Sequence, residues 1–163
     1  MGEKEGITWT RRTGMPWITK AAAGYGGGCR RSWTRIRIEG ELGDRRAYLE
    51  AARRAPNPAA RRMMQRMADR EGAHARRLLA VYYLACGQCY RPALASGPGE
   101  TLPWRQLLRQ RYHQEVWAAR QYDQAAQSVG DPCLAGLFRE LSREEDCHAR
   151  QLLGLLEQNI LAF

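Results

Sequence analysis

No stretch of 18 apolar residues occurs in the 163-residue chain, so no segment reads as a membrane-spanning helix. The first residues also lack the apolar run of about 7–15 residues that a signal peptide needs, which sets the expectation of a cytoplasmic protein. Cysteine is sparse and odd in number, at five, which argues against a disulfide framework. Only one Cys-x-x-Cys is present, Cys86-Gly-Gln-Cys89, so a two-knuckle metal site is excluded. Histidine is scarcer still: the chain has three. Acidic charge is in deficit, giving a net charge of +9, but the excess is unevenly placed. Residues 1–38 hold eight Lys/Arg against two Glu, whereas the remainder holds 18 Arg against 15 Asp/Glu. Residues 1–32 read as a basic, glycine-rich leader that is poorly ordered. Arg30, Arg31, Arg35 and Arg37 around Trp33 offer an anionic-surface contact, with nucleic acid the weaker expectation.

What the chain does have is a repeat. Glu41, Tyr48, Glu71 and His74 recur 74 residues later as Glu115, Tyr122, Glu145 and His148. The segment 41–79 aligns without a gap onto 115–153. Twelve of the 39 pairs are identical, and they include every carboxylate, phenol and imidazole just named. The repeat is therefore an internal duplication whose shared residues are metal-ligand types.

The spacings place these groups on helical faces. Residues three or seven apart lie about one or two turns along the same side of a helix. Glu71 and His74 share a stripe with Met64, Met67, Leu78 and Val81. Glu145 and His148 interrupt the matching stripe of Leu134, Phe138, Leu141, Leu152 and Leu155. Such stripes face a bundle interior, where an unpaired carboxylate costs several kcal/mol and four together repel. Two divalent cations would cancel the four charges, with Glu41, Glu71, His74, Glu115, Glu145 and His148 as ligands. An oxygen-rich set with one imidazole per metal suits iron or manganese better than zinc. A bundle that kept the motif as structure without metal is the competing reading.

These residues resemble the rubrerythrin branch of the ferritin-like superfamily over roughly Ile38 to Leu156. The resemblance rests on Glu41 to Tyr48, Asp69-Arg-Glu-Gly-Ala-His74-Ala-Arg, Glu115 to Tyr122 and Glu144-Glu-Asp-Cys-His148-Ala-Arg. It implies a di-iron centre that reduces peroxide or dioxygen with electrons from a separate donor protein. It further implies that Glu71 and Glu145 bridge the metals, that Glu41 and Glu115 are terminal ligands, and that Tyr48 and Tyr122 bond to ligand carboxylates. Two departures stand out: the rubredoxin module is missing, and Ala118 occupies the position of an additional glutamate ligand. A more symmetric centre of this kind resembles ferroxidase sites, so iron oxidation for storage is the alternative activity. A homodimer is expected.

The expected fold is all-α, a ferritin-like four-helix bundle spanning 33–163. Its helices are expected over about Trp33–Ala55, Pro58–Cys86, Leu102–Ser128 and Pro132–Gln158. The proline- and glycine-rich stretch Gly87–Pro103 is long enough to cross the bundle's length, which fits two hairpins joined by one crossover. His113 and Glu144 fall off the ligand stripes, Cys147 points away from them, and Arg45 sits awkwardly on the inward side. Cys29 and Cys133 carry no readable role, and the pair Cys86/Cys89 at the end of the second helix offers a thiol redox pair or half a metal knuckle only as the lesser expectation.

Overall fold

The computed structural model describes residues 27–93 and 102–161, and these form four helices with no strand among them. Residues 1–26 of the expected leader lie outside the described residues, as do 94–101. The helices are α1 (Gly27–Arg54), α2 (Pro58–Cys86), α3 (Trp104–Ser128) and α4 (Pro132–Leu161). Helix α1 thus starts six residues before the expected Trp33 and takes in the end of the basic stretch. Helix α3 starts two residues late, because Pro103, with ψ 145°, sits outside the helical region as its N-cap.

Both hairpin turns work by the same local chemistry. Asn57 caps α2 by accepting from the Ala60 N–H at 2.8 Å, with Pro58 as the first helical residue. Asp131 caps α4 by accepting from the N–H groups of Cys133 and Leu134, with Pro132 in the equivalent place. A proline at that position loses nothing, since its amide would have had no partner inside the helix. At the far end of α2, Gly87 adopts φ 66° and donates its N–H to the Tyr83 carbonyl. Glycine enters this left-handed region without the steric cost that other residues incur.

The side-chain contacts fix the directions of the helices. Tyr48 reaches Glu115 and Tyr122 reaches Glu41, so α1 and α3 run antiparallel. His74 on α2 meets Glu144 on α4, and Ser142 on α4 meets Ala119 on α3. Since α1 is also antiparallel to α2 across a short turn, α2 and α3 run parallel. The connection between Gly87 and Pro103 therefore joins opposite ends of the bundle. This is the ferritin-like arrangement of two hairpins and one crossover.

The core is divided in two. One apolar cluster gathers Tyr48, Met64, Met67, Leu108, Leu152 and their neighbours. A second gathers Ile38, Leu78, Tyr82, Tyr122, Phe138 and Leu141 at the other end. On every helix the ligand-type residues fall between the two clusters. A polar layer thus crosses the middle of the bundle with an apolar plug above and below it. No described helix is long and apolar enough to cross a membrane.

Candidate metal centre

Each helix supplies its part of the middle layer. Glu41 comes from α1, Glu71 and His74 from α2, Glu115 from α3, and Glu145 and His148 from α4. All six are buried, none more than 4% exposed. The residues expected from the sequence are brought together in two overlapping groups. Glu41, Glu71, His74 and Glu145 offer one ligand atom each, all within 4.8 Å of one another, and so do Glu71, Glu115, Glu145 and His148. Glu71 and Glu145 belong to both groups. The imidazoles flank the pair, with ring centroids 5.8 Å apart and planes 27° from parallel.

The nitrogen atoms turned inward are the Nδ1 atoms. Nδ1 of His74 lies 3.2 Å from Glu41, 3.3 Å from Glu71 and 3.0 Å from Glu145. Nδ1 of His148 lies 2.9 Å from Glu71, 3.1 Å from Glu145 and 3.6 Å from Glu115. One N–H cannot serve three carboxylates. Accordingly Oε1 of Glu71 and Oε1 of Glu145 have no hydrogen-bond partner, although each is near an imidazole nitrogen. Two orphaned carboxylate oxygens, both in the groups' shared members, are what a cation pair would satisfy. The donor set fits metal: hard oxygen with one imidazole per ion, as iron or manganese prefers.

Electrostatics describe the same site without cations. Burial pushes the Glu71 carboxyl well above its usual range, and the charge of Glu145 adds to this. Burial also lifts Glu115, against the hydrogen bond from His148. Burial opposes ionisation of Glu41 and Glu145 too, but there the imidazoles outweigh it and both are lowered, Glu41 to about 2 with help from Arg37. His148 is carried up to about 12, burial notwithstanding, by its bonds to Glu115, Glu145 and Glu71, and His74 rises likewise through Glu145, Glu41 and Glu71. Raised carboxyls and imidazoles thus favour bound protons in the layer, and a cation entering it would have to displace them.

The tyrosines tie the hairpins to each other through the buried carboxylates. The hydroxyl of Tyr48 on α1 donates to Glu115 on α3, and that of Tyr122 on α3 donates to Glu41 on α1 at 2.5 Å. Both phenols are fully buried.

Three residues were not recognised from the sequence. Arg37, counted there among surface-directed basic residues, is instead buried and donates to Glu41 at 2.7 Å. Arg111, also buried, donates to Asp44. They are 74 residues apart, so extending the repeat four residues upstream of Glu41 would have exposed them. Asp44 has Ala118 as its counterpart, and Arg37 pairs instead with Glu41 of the middle layer. The third is Glu144. It does leave the ligand stripe, but it reaches across to the other hairpin and accepts from Nε2 of His74 at 2.6 Å. Helical angle alone shows which way a side chain leaves its helix, not which neighbour it meets.

The remaining residues singled out lie apart from the site. His113 is exposed, with its ring against Tyr112. Arg45 runs out to solvent past Gly72, where an added Cβ would stand 3.1 Å from the arginine's Cδ. Cys89, Cys133 and Cys147 are exposed and Cys86 is half-buried, all four as free thiols. Cys29 carries no described side chain.

No curated protein and no solved structure matches the chain. Residues 36–85, which cover most of the first hairpin with Glu41, Tyr48, Glu71 and His74, match the family model described as Rubrerythrin. That match covers the first hairpin alone; with the four-helix architecture and the buried carboxylate–histidine layer, it makes the chain similar to rubrerythrins in a ferritin-like arrangement of helices.

Proposed function

We propose that this is a di-iron carboxylate oxidoreductase that reduces peroxide or dioxygen with electrons from a separate donor protein. The observation that carries the reading is the sharing of Glu71 and Glu145 between two buried four-ligand groups. Two iron ions so held would supply the two electrons that cleavage of an O–O bond consumes. Glu71 and Glu145 would span both ions, Glu41 and His74 would complete one, and Glu115 and His148 the other. Manganese satisfies the same donors.

The chain's own groups position this set. Tyr48 and Tyr122 fix the free oxygens of Glu115 and Glu41, so the terminal carboxylates cannot swing without breaking a bond to the opposite hairpin. Glu144 accepts from Nε2 of His74, which keeps the Nδ1 lone pair turned inward. The apolar plugs keep bulk water from the layer along the bundle axis. A homodimer in the cytoplasm, without membrane or nucleic-acid partners, is the setting this reading expects.

A second reading, ferrous-iron oxidation for storage, is favoured by one observation. Position 118 is alanine and buried, so the two halves offer matched ligand sets. Storage requires a many-subunit shell, so a sizing column separates the two readings. Metal analysis tests their common basis. Wild type should hold about two ions per chain and the Glu71→Ala protein close to none, because the lost carboxylate serves both. Equal metal content in the two would make the duplicated motif structural and end both readings.

A further inference from the structure

The two histidines differ in what stands behind them. At His74, Nε2 donates to Glu144, and Arg77 approaches Glu140 at 3.4 Å and Glu144 at 3.5 Å, so an ion-pair lattice closes that side. Shifting each of these residues by the 74-residue repeat gives the surroundings of His148. Glu140 becomes Arg66, Glu144 becomes Arg70, and Arg77 becomes Gln151. Both acidic positions have turned basic, so the lattice cannot form.

In its place is a cleft of about 220 Å³ with Arg66, Arg70, Gln151, Cys147 and His148 among its walls. Among the described residues, Nε2 of His148 has no hydrogen-bond partner and neither guanidinium comes within 4.0 Å of a carboxylate oxygen. Glu144 also lines the cleft; its carboxylate bonds to His74 and pairs with Arg77, and its charge also attracts Arg70 from a distance. Apart from the Glu144 carboxylate, the polar groups lining the space are mostly donors: two guanidiniums, an imidazole N–H and an amide already turned to the Cys147 sulfur. The volume holds a small anion together with a few waters, at roughly 30 Å³ for each water.

We propose that this cleft binds a small oxyanion, a carboxylate or an inorganic oxyanion. The anion accepts from Nε2 of His148 and from the guanidiniums of Arg66 and Arg70. It takes the place that Glu144 fills at His74. One half of the centre would then have a fixed carboxylate behind its imidazole and the other an exchangeable one. An anion accepting from an imidazole N–H raises that ring's basicity toward the ion on its other nitrogen. Solution anions would therefore adjust the His148 half alone. The inference rests on the metal-binding reading above, because an anion behind the His148 ring can adjust an ion only if Nδ1 faces one.

The test uses the full-length protein loaded with Co(II), whose two ligand imidazoles give separate, paramagnetically shifted N–H resonances. Inorganic phosphate and acetate are titrated in separate arms, which distinguishes a tetrahedral from a planar ligand. Saturable movement of one resonance, with the other fixed, is the result expected in at least one arm. Arg70→Glu restores the carboxylate that the repeat position carries, and it should weaken the response about tenfold or more. Arg66→Ala/Arg70→Ala should weaken it as well without supplying a carboxylate. Protein that loads two Co(II) ions but whose resonances ignore both anions, or whose response survives both variants, overturns the anion site and leaves the metal reading standing. Protein that takes up no Co(II) overturns both.

Discussion

The guanidinium of Arg37 lies 5.0 Å from the centre of the Tyr122 ring, and that of Arg111 lies 5.0 Å from the Tyr48 ring. Each arginine caps the phenol of the opposite hairpin, whose hydroxyl in turn donates to a carboxylate of the arginine's own hairpin. For Arg37 the circuit is closed: it donates to Glu41, and Glu41 accepts from Tyr122. Buried charge in this protein is held by a pseudo-twofold ring of cation, phenol and carboxylate, outside the ligands themselves.

Removing one member of a buried ion pair strands the other. Arg37→Met should lower the stability of metal-stripped protein by about 3 kcal/mol, because buried Glu41 loses the guanidinium that donates to it. Added metal should recover much of that loss, since a cation replaces the guanidinium. Urea unfolding with and without Mn(II) measures both quantities. A loss of equal size in the two conditions would mean that Arg37 supports packing and not the carboxylate.

Tyr48→Phe keeps the ring and deletes the donor to Glu115. A stability cost of about 1–3 kcal/mol is expected. Tyr122→Phe should cost less, because Arg37 still holds the Glu41 oxygen that Tyr122 releases. Thermal unfolding of the two variants side by side gives the order, and the reverse order would contradict the circuit described above.

Glu144→Ala should weaken metal binding at the His74 half by about 10–100-fold, the usual effect of losing a carboxylate behind a ligand imidazole. Arg70→Ala, the change at the repeat-related position, should leave metal affinity near that of wild type in anion-free buffer. Competition with a chelator resolves the two binding steps. Unchanged binding in Glu144→Ala would show the contact with His74 to be without influence on the metal.

Stability of the metal-stripped protein should fall as pH rises. The folded state holds the His148 proton up to about 12 against 6.5 for the free group. That contribution is complete below about pH 6.5 and drains away toward the folded value. Glu71 and Glu115, also raised, act in the same direction from about 4.5 upward. Glu41 and Glu145 are lowered, so their contribution is present above 4.5 and is lost on acidification. The melting temperature should therefore be highest in mildly acid buffer and lower at about pH 9. Metal should bind more tightly at the higher pH, where fewer protons compete. A melting temperature that climbs from about pH 6.5 to about pH 9 in stripped protein would contradict the proton-filled site.

The features legible in the sequence were those that repeat in register. Glu41, Glu71, His74 and their partners could be read because each sits on an apolar stripe and because its twin has the same residue. The capped turns at Asn57 and Asp131 were legible for a local reason: a polar cap followed by proline. Contacts between elements were harder. Glu144 lies beside a ligand in sequence, and only the crossing of α2 and α4 turns it toward His74. Arg37 was read with its basic neighbours at the start of the chain, whereas helix geometry places it one turn before Glu41. The start of α1 was misjudged as well, since the run Gly26-Gly27-Gly28 carries no helical signal of its own.

Both halves descend from one hairpin sequence, and a hairpin that paired with an identical copy would carry the same residue behind both histidines. Joined in a single chain, the copies were free to part company, one keeping an acidic side chain at that place and the other a basic one. The centre has thereby acquired a front and a back. A symmetric dimer of hairpins would offer two equivalent half-sites; this chain offers two that differ behind their histidines.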